Sequence, residues 1–556
     1  MTHLPARTRR PRRVRAFLFA LGALLAAATV LLGAVPADAH AVLVRSSPAD
    51  GSRLDAAPAR VVLTFDEPVQ LVDGMTRAFS SSGTRVDTGD ISRSGGDTQV
   101  VVPLTPDLPR GSYTVSWRVI SADTHVVSGS ISFGVQQDAA SAAATGSAAP
   151  TSLDVVAQTA IGLGYVGVVL ALGVALLARL LWPDTWRRRR VRLFVRAGGA
   201  ALLVGALVDL LLQGPRADET GWHGVLRLDG LGETLAGSYG QLLVARIVLA
   251  VVGVVLVRSL ARRAGFAAYS VAQAGVLVTI ALAGHAGVGA DVVLAATAAV
   301  AHLAAMAAWA GGLLLLLVAV LPGVTGAPDL DRLRLGTWSI IAFVSVAVLV
   351  VSGEYQAWRE VQPVASLWST PYGVTLLVKL AFVAIALAGA LAAQRMVARR
   401  RSGAGADAAS VSVVRVRRSL RIEAVAVAAA IVVTSVLTAL PPASGTYGPA
   451  ATVTAPVGDT GATAVAELST TRHGPLVITV HVTDRNGTRI DPELVTGVLS
   501  SPDNGVAGID VTLTHDGASW VTTDAVVPIA GAWTLQLTVT IDQAHAYATA
   551  TTFRAW

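Results

Sequence analysis

The sequence predicts a multidomain membrane protein in which a β-sandwich is followed by an eight-helix α-helical transmembrane bundle and then by a second β-sandwich. Three observations predict it. Of the 556 residues, 53% are hydrophobic, too many for an ordinary soluble chain. Apolar segments, most of them long enough to cross a bilayer, recur near residues 153–182, 190–213, 240–260, 266–285, 291–321, 335–353, 372–394 and 420–440. Arginine falls in every second loop between them: Arg187 to Arg190 with Arg192, then Arg258, Arg262 and Arg263, then Arg332 and Arg334, then Arg395, Arg399 to Arg401, Arg415, Arg417 and Arg418. Positive loops face the cytoplasm, so an even number of helices leaves both β-domains on the extracytoplasmic side of the plasma membrane.

Residues 1–39 have the layout of a secretory signal peptide: an arginine-rich start, an apolar run from Ala16 to about Val35, and small residues at Ala37 and Ala39. Six arginines and one aspartate precede His40, so cleavage there lowers the formal charge from +7 to +2. Nucleic acid is thereby excluded as a partner, and the lipid bilayer remains. From His40 to about residue 136 short alternating stretches such as "ARVVLTFDEPVQL" and "GSYTVSWRVIS", separated by Gly, Pro and Asp, read as a small antiparallel β-domain of sandwich or barrel type. Residues 137–152 form an Ala/Ser/Gly linker. The membrane domain runs over 153–443, and 445–556 return to strands such as "PLVITVHVTD" and "AWTLQLTVTI". With four Arg against ten Asp and Glu, this last domain is acidic and favours cations.

Cysteine is absent, which excludes disulfides, thiolate metal sites and cysteine nucleophiles. A metal must be held by nitrogen and oxygen, with four methionines as the only sulfur. His40 becomes interesting on that account. Cleavage after Ala39 gives it a free amine beside its imidazole, and the two together chelate one metal ion. Asp123 and His125, in "SADTHVVSGSISFGV", stand at i and i+2, which on an extended strand puts both side chains on one face. An amine, two imidazoles and a carboxylate suit tetragonal Cu(II) better than Ni(II) or Zn(II). Read alone, the Asp-x-His pair is more often a strand-end turn; coupled to a histidine exposed by cleavage, the metal reading prevails.

The stretch "HAVLVRSSPADGSRLDAAPARVVLTFDEPVQ" with "ISADTHVVSGSISFGV" resembles the periplasmic copper-binding CopC family. The resemblance implies a cupredoxin-like β-sandwich whose Cu(II) ligands are His40, Asp123 and His125. Some members add a methionine-rich Cu(I) site, but Met75 is the only methionine between 40 and 135, which implies a Cu(II)-only version.

A second constellation lies in the membrane, in "LAGHAGVGADVVLAATAAVAHLAAMAAWAGGLL". His302 falls about a third of the way into its helix, and Met306 and Trp309 follow at i+4 and i+7 on the same face. An ionisable residue at membrane depth is expensive and points to function. His285, in a Gly-flanked turn at the outer mouth, is placed to pass an ion to His302; the bland alternative is a histidine hydrogen-bonded to a neighbouring helix. Lys379 is the only lysine in the chain and sits inside a membrane helix, suggesting a specific ion pair or a proton-linked role. Asp209 and Arg246 read as a structural ion pair near the outer face.

The segments "GHAG", "AHLAAMAAWAGGL", "WSIIAFVSVAVLVVSGEYQAW", "PYGVTLLVKL" and the ending from Glu423 to Ala443 resemble, in that order, the CopD family of copper-resistance membrane proteins. That resemblance implies copper movement across the membrane, inward from the CopC-like domain, with the fusion raising the donor site's effective concentration. The C-terminal domain loosely resembles FixH/YtkA-like domains. Its His473, His481, His515 and His545 lack tight ligand spacing, although His473 and His481 fit one strand face.

The expected function is therefore copper binding and transport, for homeostasis or resistance, without catalysis. No GxxxxGK[ST] loop supplies an ATPase engine. Two alternatives compete with it. One is a histidine-brace copper oxidase or monooxygenase, against which Asp123 fills the position oxygen needs. The other is a bis-histidine haem protein using His285 and His302.

Overall fold

The computed structural model describes residues 41, 43–65, 67–71, 76–81, 84–121, 126–137, 151–217, 221–226, 231–232, 234–235, 237–287, 291–323, 334–401, 413–504, 506–517, 519–527, 530–542 and 545–556. The expected signal peptide, His40, Asp123 and His125 lie outside the described residues, as does most of the linker.

The first β-domain is built from β1 (Leu43–Ser47), β2 (Arg53–Leu54), β3 (Arg60–Phe65), β4 (Gln70–Leu71), β5 (Arg77–Ser80), β6 (Ser92–Ser94), β7 (Gln99–Pro103), β8 (Gly111–Ile120) and β9 (Val126–Val135). One sheet has the order β1-β3-β7-β6 and the other β2-β9-β8-β4, with β5 also paired to β8. Period-two alternation explains the two layers. Val61, Leu63 and Phe65 of β3 turn inward against Val115, Trp117 and Val119 of β8 and Ile131 and Phe133 of β9, forming one core. Trp117 meets Phe65 edge-on at 5.1 Å. Its cross-strand partner is Gly129, where a Cβ would stand 2.5 Å from the indole ring, so the glycine makes room for the tryptophan.

The "SPADG" turn locks β9 in place. Asp50 Oδ1 accepts the Ser132 amide at 2.7 Å and the Gly51 amide donates to the Ser132 carbonyl at 2.8 Å, with Gly51 in the left-handed region at φ +74°.

Among the described residues eight helices are long and apolar enough to cross a membrane: α1 (Ser152–Leu180), α2 (Arg189–Arg216), α3 (Ser238–Ser259), α4 (Arg263–Leu282), α5 (Val292–Val320), α6 (Leu335–Glu360), α7 (Pro371–Ala392) and α8 (Arg415–Leu437). Helix α1 pairs with α2, α5 with α6, and α7 with α8. Small residues let backbones touch. A Cβ on Gly173 would stand 1.9 Å from the Ala307 carbonyl oxygen, and one on Gly311 would stand 2.7 Å from the Gly173 Cα, so α1 and α5 cross in direct contact. At this crossing α1 widens into a π-helical segment, Val169–Val174, and the Tyr269 hydroxyl of α4 donates to the Ala171 carbonyl at 2.7 Å.

The C-terminal domain is a second pair of antiparallel sheets. One runs Ala451–Val457, Ala462–Leu468, Gly474–Thr483, Ser519–Val527 and Thr514–Asp516, with Arg489–Ile490 paired to Gly474–Thr483. The other runs Val506–Val511, Leu494–Ser501, Gly531–Asp542 and His545–Ala555. Ile478, Val480 and Val482 of one and Trp533, Leu535, Leu537 and Val539 of the other fill a shared core.

Asp87 is a buried carboxylate of the first domain. Asp87 takes the Arg85 guanidinium on Oδ1 at 2.9 and 2.6 Å and the Ala78 amide on Oδ2 at 2.9 Å. Burial alone pushes its carboxyl up, but the hydrogen bonds from Arg85 and Ala78 and the charges of Arg85 and Arg77 hold it below the usual carboxylate range. Its contribution is therefore full above the unfolded carboxylate value near pH ~4 and is lost as pH falls through the lower folded value. Asp87→Asn should cost about 1–3 kcal/mol and speed amide exchange at Ala78, with a flatter acid limb of stability.

Candidate metal centre

The three N-terminal candidates are located through their described neighbours. The Ala41 amide donates to Ser121 Oγ at 3.3 Å, and the Ser121 hydroxyl donates to Glu67 Oε1. All three residues are buried, at 2%, 1% and 6% exposure, which makes this a dry polar chain rather than a surface contact. Ala41 follows His40 in the chain, and Ser121 precedes Asp123 by two residues. The Ile120↔Val126 pair closes the β8–β9 hairpin, so 121–125 is its connection. Among the described residues, Ala41 and Ser121, the neighbours in sequence of these candidates, thus meet at one corner of the sandwich together with Glu67. Sequence reasoning missed Glu67, because a charged residue just past a strand reads as solvent-facing. The signal available was its place beside the buried end of "VVLTF".

In the bundle, His302 of α5 faces α6. Its Nδ1 pairs with Ser352 Oγ at 3.0 Å, and Ser352 in turn donates to the Val348 carbonyl at 2.5 Å. A Cβ on the next residue, Gly353, would come 3.3 Å from the ring, so Ser352 and Gly353 form the floor on which the imidazole rests. Lys379 of α7 lies within electrostatic reach of the same ring. Among the described residues it makes no ion pair, which corrects one of the two roles expected for it.

Trp309 is held by a different helix. It shares the stripe of His302, but its Nε1 donates to Glu423 Oε1 of α8 at 2.9 Å, both residues being buried. Met306, between them, is half-buried against the bundle core.

His285 occupies a single turn, His285–Gly287, before α5. Its carbonyl accepts Arg359 Nη1 at 3.2 Å, Arg359 Nη2 pairs with Asp291 Oδ1 at 3.1 Å, and the Tyr355 hydroxyl donates to Asp291 Oδ2. His285 and His302 are thus anchored to α6 at Arg359 and Ser352, seven residues or about 10 Å apart along the helix. They do not converge on one ion or one haem. Among the described residues no group of three or more His, Asp or Glu gathers as a metal site.

The expected Asp209–Arg246 ion pair does not form. Asp209 accepts the Tyr239 hydroxyl at 2.6 Å, while Arg246 donates to Thr279 Oγ1 at 3.3 Å and to its carbonyl at 2.9 Å. In the last domain the strand begins at Gly474, so His473 does not share it with His481 and instead pairs with the Trp556 carbonyl at 2.6 Å. His515 and His545 each pair with one aspartate, Asp491 at 2.7 Å and Asp542 at 2.8 Å.

A two-sheet β-domain followed by eight helices long and apolar enough to cross a membrane defines a multi-pass membrane protein with a separate β-domain ahead of its bundle. Family models agree: residues 43–136 match the CopC domain and residues 332–437 match copper resistance protein D. The copper transport protein CutJ of Bacillus subtilis is 28% identical over 480 residues, covering 81% of this chain and 83% of that protein. Copper resistance protein C of Pseudomonas syringae pv. tomato is 36% identical over 119 residues, 20% of this chain and 92% of that protein. A solved structure of CopC from Methylosinus trichosporium OB3b is 31% identical, covering 17% of this chain and 93% of that one at a TM-score of 0.16. The chain belongs to the copper-resistance family, with CopC and CopD domains joined in one polypeptide. The CopD match begins just before α6, so Ser352, Lys379 and Glu423 fall inside it and His285 and His302 precede it.

Trp309→Phe leaves a buried Glu423 oxygen without its donor and should lower stability by about 1–3 kcal/mol in thermal unfolding of the detergent-solubilised chain. Glu423→Gln retains an acceptor for the indole and should cost less.

Proposed function

We propose that this protein captures Cu(II) outside the cell and passes copper through its bundle to the cytoplasm. The amine and imidazole of His40, with Asp123 and His125, hold the ion, and Glu67 fixes the corner by accepting from Ser121. The observation that carries the reading is the buried Ala41–Ser121–Glu67 chain, which ties the residue after His40 to the hairpin bearing the other two ligands. The name of the CutJ relative supports transport.

Within the bundle, His285 at one mouth and His302 with Met306 deeper in α5 are separate stations rather than one site. Lys379 presents a like charge to a cation arriving at His302, so occupancy there is transient and favours release. The membrane potential favours inward movement of a cation, and no other energy source is required for that direction. Both β-domains lie on the extracytoplasmic side of a multi-pass plasma-membrane protein, as the alternation of arginine loops indicates.

Cell-associated copper at fixed external copper tests this reading. Cells lacking the protein should hold less copper; a higher content reverses the direction. Inserting Ala before His40 should weaken Cu(II) binding by about tenfold or more and abolish the uptake difference. An insertion without effect removes His40 from the mechanism. His302→Ala should leave Cu(II) capture intact and reduce uptake.

A further inference from the structure

Away from the residues assigned to copper, Asp209 of α2 is a carboxylate buried inside the bundle. It is 3% exposed. Its Oδ2 accepts the Tyr239 hydroxyl at 2.6 Å, and its Oδ1 is buried with no hydrogen-bond partner among the described residues. Arg246 follows Tyr239 by seven residues on the same face of α3 and lies within electrostatic reach of the carboxyl, yet its guanidinium is committed to Thr279 of α4. The other groups facing the carboxyl are Tyr165 of α1, which hydrogen-bonds Thr438 just past α8, and Arg216 of α2, which pairs with Asp154 at 2.9 Å.

An ionised carboxylate with one buried oxygen that no donor reaches is costly in apolar surroundings, whereas the neutral acid is tolerated. We propose that Asp209 is a proton-binding site, with the proton on Oδ1 while Tyr239 donates to Oδ2, and that Arg246 is the internal cation that replaces it. On release the Oδ1–H bond breaks, the proton leaves to water, and the Arg246 guanidinium moves from Thr279 to the carboxylate. The exchange conserves charge: a neutral acid beside a free cation becomes an ion pair plus one departed proton. Asp209 is seven residues from Arg216, about 10 Å along α2, and the Arg216–Asp154 pair sets that end beside the start of α1. Asp209 therefore lies toward the end of the bundle at which α1 begins. Proton binding here is independent of the copper reading, since it holds whatever the bundle carries.

Infrared difference spectroscopy of the full-length chain in lipid nanodiscs, acid minus alkaline, tests it without copper. A protonated-carboxyl stretch should be present in the native protein and lost in Asp209→Asn. It should move to higher frequency in Tyr239→Phe, which removes the donor to the carbonyl oxygen, and persist to more alkaline pH in Arg246→Gln. A spectrum unchanged by Asp209→Asn, or a band that Tyr239→Phe leaves unmoved, overturns the proposal.

Discussion

A polar group inside the bundle has no water to turn to, and this constraint sets the contacts of the helices around the candidate path. Several buried polar side chains find partners on another helix: His302 on α6, Trp309 on α8, Tyr269 on the opened carbonyl of α1, Tyr239 on Asp209 of α2. These links join segments far apart in sequence, and in apolar surroundings they carry specificity that packing of Ala, Val and Leu alone does not provide. They also separate roles along α5. His302 turns its polar atom to α6 and Trp309 turns its own to α8, so one stripe of one helix is fastened to two neighbours.

The same constraint works at smaller scale in the first sandwich. A single hydroxyl, that of Ser121, accepts from Ala41 and donates to Glu67, and so spends both of its capacities inside a dry corner. Without that hydroxyl the Ala41 amide would lose the described side chain that ties it to the end of β8.

Much of this was legible in the sequence because it follows from local pattern. Alternation in "ARVVLTF" gave a strand where β3 lies, and the apolar lengths gave eight spans. The partners were less legible. Asp209 and Arg246 were paired by charge and depth, whereas the fold gives each a neutral hydrogen-bonding partner, because which helix faces which is not written in any one helix. Glu67 was passed over since burial of a carboxylate depends on a serine 54 residues away. His285 and His302 looked like successive steps, but the turn preceding α5 attaches His285 through its carbonyl to Arg359 and leaves two turns of α6 between them.

The crossing of α1 and α5 has a mechanical consequence. Where Gly173 and Gly311 bring two backbones into contact, no side chain remains that can change rotamer to absorb a displacement. The two helices behave as one rigid keel. Any change of shape that opens one mouth of the bundle and closes the other has to be taken up elsewhere, at seams lined by side chains. The α5–α6 contact at His302 is of another kind, made through the side chains of His302 and Ser352 rather than backbone on backbone.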